Sequence, residues 1–154
     1  MRIQLLVFLL LPGFAAFCQP GVAEEKKAVL SRVQQFFTAM EKQDTAMFQD
    51  AVAANGQSWA VRKRNDSSFI SFRSFGDRVY KFENPAQVIQ EKILSAEVKI
   101  HQQIAMAWVP YTLSISGKFS HCGVDVFTLL KSDHGWKIVN ISYTVEPNGC
   151  KELE

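Results

Sequence analysis

From residue 90 to residue 146 the chain reads as four β-strands in a row, and the third holds one carboxylate, Asp125, inside an otherwise apolar run. The strands fall at about 90–101, 104–115, 118–131 and 136–146, with Gln102-Gln103, Ser116-Gly117 and Ser132 to Gly135 as the turns between them. Turns this short join antiparallel neighbours, so the second half of the chain is an antiparallel meander. Within it, Ser120-His121-Cys122-Gly123-Val124-Asp125-Val126-Phe127 puts an acid where apolar side chains are expected. A buried acid needs a partner, a proton or a ligand, because an unpaired charge in an apolar interior is costly and its pKa moves up. Pro110, inside the second strand, predicts a bulge or an edge stretch there.

The first half is mainly helical. Val29, Val33, Phe36, Phe37 and Met40 share one face of a helix running from about Val22 to Lys42. Asp44 is suited to cap a second, short helix presenting Met47, Phe48, Ala51 and Val52, which Asn55-Gly56 would end. Residues 57–63 and 68–73 read as two short strands around Asn65-Asp66-Ser67. Ser74 is placed to cap a third short helix with Phe75, Val79 and Phe82, broken by Asn84-Pro85. Helices followed by a meander predict an α+β fold, with the N-terminal helices packed on one face of a curved, mostly antiparallel sheet.

The N-terminus has a short positive start, an apolar run from Leu5 to Leu11, Pro12-Gly13, and the small residues Ala15 and Ala16. That is the pattern of a secretory signal peptide with cleavage near Cys18-Gln19. The apolar run is too short to span a bilayer. We therefore expect residues 1–18 to be a signal peptide and residues 19–154 a single domain, exported to the periplasm or secreted. Lys plus Arg (17) nearly equals Asp plus Glu (15), which gives nucleic-acid binding no electrostatic support. Arg62-Lys63-Arg64, the densest basic cluster, reads as a solvated turn between strands. His101 and His134 read as turn and hairpin residues. No Cys/His cluster has ligand spacing, so neither a metal nor a cofactor is expected. With Cys18 removed, Cys122 and Cys150 are an even pair in an oxidising compartment, and Pro147-Asn148-Gly149 can turn Cys150 back toward Cys122. They form either a disulfide or two buried, inert thiols.

Hairpin parity assigns the sheet faces. Pairing Ile115 with Lys118 puts Trp108 opposite Asp125 and Thr112 opposite His121. Pairing Lys131 with Trp136 adds Ile138, Asn140 and Ser142 to that face. It then holds aromatics and a few polar groups, the composition of a ligand pocket. The other face, with Val109, Tyr111, Val124, Ile141 and Tyr143, is almost wholly apolar. A single bulge inverts this assignment. Helices cover one face; a second copy of the chain is the simplest cover for the other, so a homodimer through the sheet is expected.

The chain resembles the nuclear transport factor two-like superfamily, whose cone-shaped α+β fold includes ketosteroid isomerases and SnoaL-like polyketide cyclases. Within it, the chain is most similar to exported bacterial proteins labelled "putative lumazine-binding". The resemblance covers roughly residues 26–146. It rests on Val33-Gln34-Gln35-Phe36-Phe37-Thr38-Ala39-Met40 followed by Asp44, on Trp108-Val109-Pro110-Tyr111, and on Gly123-Val124-Asp125-Val126-Phe127 before Gly135-Trp136-Lys137-Ile138. The resemblance implies that Asp125 matches the isomerases' carboxylic acid, which stays protonated and donates to an oxyanion. The isomerases' tyrosine falls at Phe36 and their general base near Ala60, so two of three catalytic groups are missing.

The first function compatible with this reading is a binding domain for a small aromatic or apolar ligand. Trp108, Phe127, Phe36 and Phe37 would grip the ligand, and Asp125 with His121, Asn140 or Tyr111 would orient it. The second is a lyase, isomerase or hydrolase with Asp125 as acid/base, although His121 lies roughly 13 Å away along the strand. The third is a ligand-free interaction module in the envelope.

Overall fold

The structure, a computed structural model, describes residues 21–77, 87–148 and Cys150. The expected signal peptide and Cys18 lie outside the described residues.

Helix α1 spans Val22–Lys42, with Glu24 and Glu25 in its first turn and Lys42 in its last, as the helix dipole favours. It stops where Gln43 takes a left-handed conformation (φ 53°). The Asp44 amide then donates to the Ala39 carbonyl at 2.9 Å, which satisfies an end-of-helix acceptor. Asp44 next caps α2, Thr45–Ala51, by accepting from the Met47 amide at 2.9 Å. The chain leaves α2 at Val52, which is already extended, so Asn55-Gly56 lies within a strand rather than ending the helix. Gly56 is required there for another reason: a Cβ would sit 2.6 Å from the Phe75 ring and 2.8 Å from the Val139 carbonyl.

Strands β1 (Val52–Arg64) and β2 (Ser67–Ser74) form an antiparallel hairpin. Ser74 does not cap a helix. It ends β2, and residues 75–77 form a turn closed by the Asp77 carboxylate on the Ser74 amide. The rest of the expected third helix lies outside the described residues. Strands β3 (Ile89–Ile93) and β4 (Glu97–His101) both pair with β5 (Ile104–Ile115), so the strand expected at 90–101 is broken. The break lies beside Pro110, which has no N–H to offer a neighbour; the Leu94 amide donates to its carbonyl at 2.9 Å. Strands β6 (Lys118–Ser132) and β7 (Gly135–Val145) complete the meander.

The sheet order is β2-β1-β7-β6-β5-β3, with β4 beside β3 on the β5 edge. Every pairing is antiparallel except β1 with β7, which is parallel. Two bulges correct the expected faces. Ile115 does pair with Lys118, but Leu113 pairs with His121 and Ser114 with Phe119, which leaves Ser120 as an extra residue on β6. Asp125 therefore faces Val109, and Trp108 faces Val126. Lys131 does pair with Trp136, but Val139 is extra between the Leu129–Ile138 and Thr128–Asn140 pairs. Ile141 and Tyr143 consequently turn inward with Asp125, and Asn140 turns outward.

Bulges bend the strands that contain them, and the sheet curves around α1. Phe127, fully buried, meets Phe36 and Phe37 edge-to-face at 5.7 and 5.6 Å. Val29, Val33, Phe48, Leu129 and Ile138 extend this core toward the α1 N-terminus. There Glu25 accepts from the Trp136 indole at 2.8 Å and from Lys131, pinning the helix to the β6–β7 hairpin. On the outer face, Cys122 and Cys150 form a disulfide with their Cα atoms 5.7 Å apart. Reciprocal backbone bonds between Cys122 and Glu146 bring the chain end to that position.

Candidate functional site

The core does not fill the cone. Between the C-terminal half of α1 and the concave sheet lies an open-mouthed cavity of about 220 Å³. Strand alternation supplies its walls. Ile89 and Glu91 point inward from β3, Tyr111 from β5, His121 and Asp125 from β6, Ile141 and Tyr143 from β7, and Ser58 and Arg62 from β1. Phe36 and Met40 close the top from α1.

The polar feature of the interior is a pair of acids. The carboxyl groups of Asp125 and Glu91 are hydrogen-bonded to each other. Asp125 is only 4% exposed. Burial raises its pKa well above the usual aspartate range, and the neighbouring Glu91 charge and hydrogen bond raise it further. Burial also raises Glu91, to about 8, although the hydrogen bond from Asp125 opposes the shift. Asp125 thus holds its proton and donates to Glu91, and near neutrality the pair is largely uncharged.

The flanking groups are neutral too. Tyr111 donates its hydroxyl hydrogen to the Thr144 carbonyl at 2.7 Å. Burial first, and then the Asp125 and Glu91 charges, push its phenol above the usual range. His121 lies edge-on to the Tyr111 ring at 5.8 Å, with Nδ1 3.0 Å from the Ser120 hydroxyl. Burial and the Arg62 charge lower its pKa, which favours the uncharged imidazole. Arg62 is the charged group inside the wall. Its guanidinium donates to Ser71 Oγ at 2.8 Å and to the Tyr143 hydroxyl at 3.1 Å. Arg73 stands exposed at the mouth.

Residues 24–144 match the family described as "putative lumazine-binding". The chain belongs to that family. No curated relative matches the sequence. Solved structures give the same fold. One is a nuclear transport factor 2-like protein of unknown function from Shewanella baltica, 16% identical, with TM-score 0.65 over 84% of this chain and 100% of that one. A superfamily protein from Salmonella enterica serovar Typhimurium is 11% identical, with TM-score 0.66 over 84% and 96%. A third, from Novosphingobium aromaticivorans and described as having a cystatin-like fold, is 12% identical, with TM-score 0.62 over 86% and 88%.

In this member of the "putative lumazine-binding" family, the residues singled out from sequence divide into three groups. Asp125, His121, Tyr111 and Phe36 line the cavity. Phe127 and Phe37 pack in the core beside it. Trp108 and Asn140 are corrections. The bulge at Ser120 turns Trp108 to the outer face, where it is 46% exposed. The bulge at Val139 likewise sends Asn140 outward, where its amide donates to Ser142 Oγ at 3.2 Å.

Glu91 and Arg62 were missed. Glu91 had the same signal as Asp125: Ile89, Glu91 and Ile93 alternate, which puts a carboxylate on an apolar face. Arg62 was hidden in the basic triplet, yet it shares the inward parity of Ser58 and Ala60. Among the described residues no group of acids, histidines and cysteines is placed to hold a metal.

Proposed function

We propose that this is an exported small-molecule-binding domain whose cavity grips a ligand with an aromatic or apolar body. Phe36, Met40, Ile89 and Ile141 supply the apolar contact. The Glu91–Asp125 pair supplies the polar anchor, offering an O–H to a carbonyl or ring nitrogen of the ligand. One observation supports this above all: a hydrogen-bonded, largely neutral acid pair lines an open cavity that also has apolar walls. A lumazine is the ligand class that the family description suggests. Export is supported by the signal-like residues 1–18 and by the disulfide. No helix among the described residues is long and apolar enough to cross a membrane.

The test is substitution of Asp125 by Asn and by Leu, with lumazine binding followed by fluorescence and stability by thermal melting. Binding is expected to be lost in Asp125→Leu at a stability cost of about 1–2 kcal/mol, because the change takes the hydrogen-bond partner from Glu91, whose carboxyl lines the open cavity. Loss of more than about 2 kcal/mol in both variants would make the acid a structural group instead.

The same pair favours a second reading, acid/base catalysis by Asp125 in a lyase, isomerase or hydrolase. A proton-holding acid in a cleft is the group such chemistry uses. His121 sits too far along the strand to share that proton directly, so the substrate would have to bridge them. Turnover of an enolisable ketone that is lost in Asp125→Asn would favour this reading over simple binding.

We also propose a homodimer through the outer sheet face. Trp108, Ile104 and Leu130 there are each nearly half exposed, at 46%, 49% and 46%. Exposed apolar groups clustered on one face mark contact surfaces.

A further inference from the structure

The two ends of the cavity differ in charge. Glu91 lies on β3, at one side of the sheet, and Arg62 on β1; strands β5, β6 and β7 run between them. Among the described residues the partners around Arg62 are all neutral: two hydroxyls, and the Tyr143 ring 5.6 Å from the guanidinium carbon. Among the described residues no carboxylate lies within ion-pair distance of it. By contrast, Arg32 and Lys137 both pair with Asp50. The site is also geometrically built. A guanidinium has five N–H donors, and these two bonds leave others to face the cavity. The Tyr143 hydroxyl accepts from Arg62, so its own hydrogen remains available to donate. A half-buried cation with neutral neighbours is a recognition element for an anion.

Building on the binding reading above, we infer that the cavity takes a small organic carboxylate. Its anionic head sits on Arg62 and Tyr143, and its uncharged end lies against the Glu91–Asp125 pair. One half-buried guanidinium matches one negative charge. Arg73, exposed at the mouth, draws the anion in but is screened by solvent. The opposite orientation would set the ligand's negative charge beside two acids and away from Arg62, which disfavours the charged carboxylate unless it takes up a proton.

The experiment is calorimetric titration with matched pairs: trans-cinnamate and cinnamamide, benzoate and benzamide, indole-3-acetate and indole-3-acetamide. The carboxylate of at least one pair is expected to bind about tenfold or more tightly than its amide, the size of a charge-assisted contact. That ratio should shrink in about 0.5 M salt. Arg62→Gln should bring it close to one, and Arg62→Lys should keep most of it. Should Arg62→Gln fail to fold, the ratio in the unaltered protein and its salt dependence decide. Acid and amide binding equally well would overturn the anion site but leave the binding reading standing. So would a ratio that survives Arg62→Gln. Failure of every acid and every amide to bind would overturn both.

Discussion

At the scale of single residues, the site is a matter of protons. Both acids of the pair titrate higher in the folded protein than in the unfolded chain. Between about pH 4.5, the ordinary glutamate value, and about 8, where folded Glu91 ionises, the native state holds more protons than the unfolded state. The contribution of the pair to stability is therefore complete at low pH and is lost as pH rises through that window. We predict that the melting temperature declines from pH 5 to pH 9 and that Glu91→Gln, which removes one titration, makes the decline shallower. Differential scanning calorimetry across that range checks it; a Glu91→Gln profile parallel to the parent's would contradict it. Gly123 is a second residue-scale constraint. A Cβ there would lie 2.2 Å from the Thr144 carbonyl oxygen, the acceptor that holds Tyr111. Gly123→Ala should cost about 1–3 kcal/mol and move the Tyr111 ring, measurable by chemical denaturation and by Tyr111 side-chain NMR shifts.

At the scale of elements, the sequence marks where elements lie far better than which way they face. The end of α1 was legible because the apolar face of Phe36, Phe37 and Met40 stops just before the capping Asp44; the structure adds that Gln43, between them, is left-handed. The turns at Ser116-Gly117 and Ser132 to Gly135 were legible from their residues, and Ser116, Gly117 and Gly135 do take positive φ. The bulges at Ser120 and Val139 have no local signature, since each residue is ordinary in a strand. They nevertheless decide that Tyr111 and Tyr143 face the cavity and Trp108 does not. Half of the acid pair was legible, because Asp125 sits in a long run; Glu91, in a five-residue strand, did not stand out. Among the elements, the α1–β6 contact matters most. Phe127→Ala would remove a fully buried ring wedged against Phe36 and Phe37, at a cost of about 3–5 kcal/mol by urea denaturation. The disulfide ties the chain end to β6 across 28 residues of sequence, a loop whose closure contributes about 3–4 kcal/mol on the chain-entropy account. Cys150→Ser should lose stability of that order while leaving the cavity lining in place.

At the scale of the whole molecule, one sheet serves two purposes. Its concave face, closed by α1, holds the core and the cavity; its outer face presents Trp108, Phe72 and Ile70 to the surroundings. If that outer face joins two copies, sedimentation at micromolar concentration should give twice the chain mass, and Trp108→Glu should give monomers with the cavity intact. A parent protein that sediments as a monomer would contradict the dimer. The fold itself hosts binders, enzymes and scaffolds, so the cavity rather than the family must decide the function. Native mass spectrometry of the protein purified from its own source tests the central claim most directly. The parent should retain a small organic adduct that is absent from Asp125→Leu. Bare protein mass in the parent, under conditions that preserve weak complexes, would contradict it.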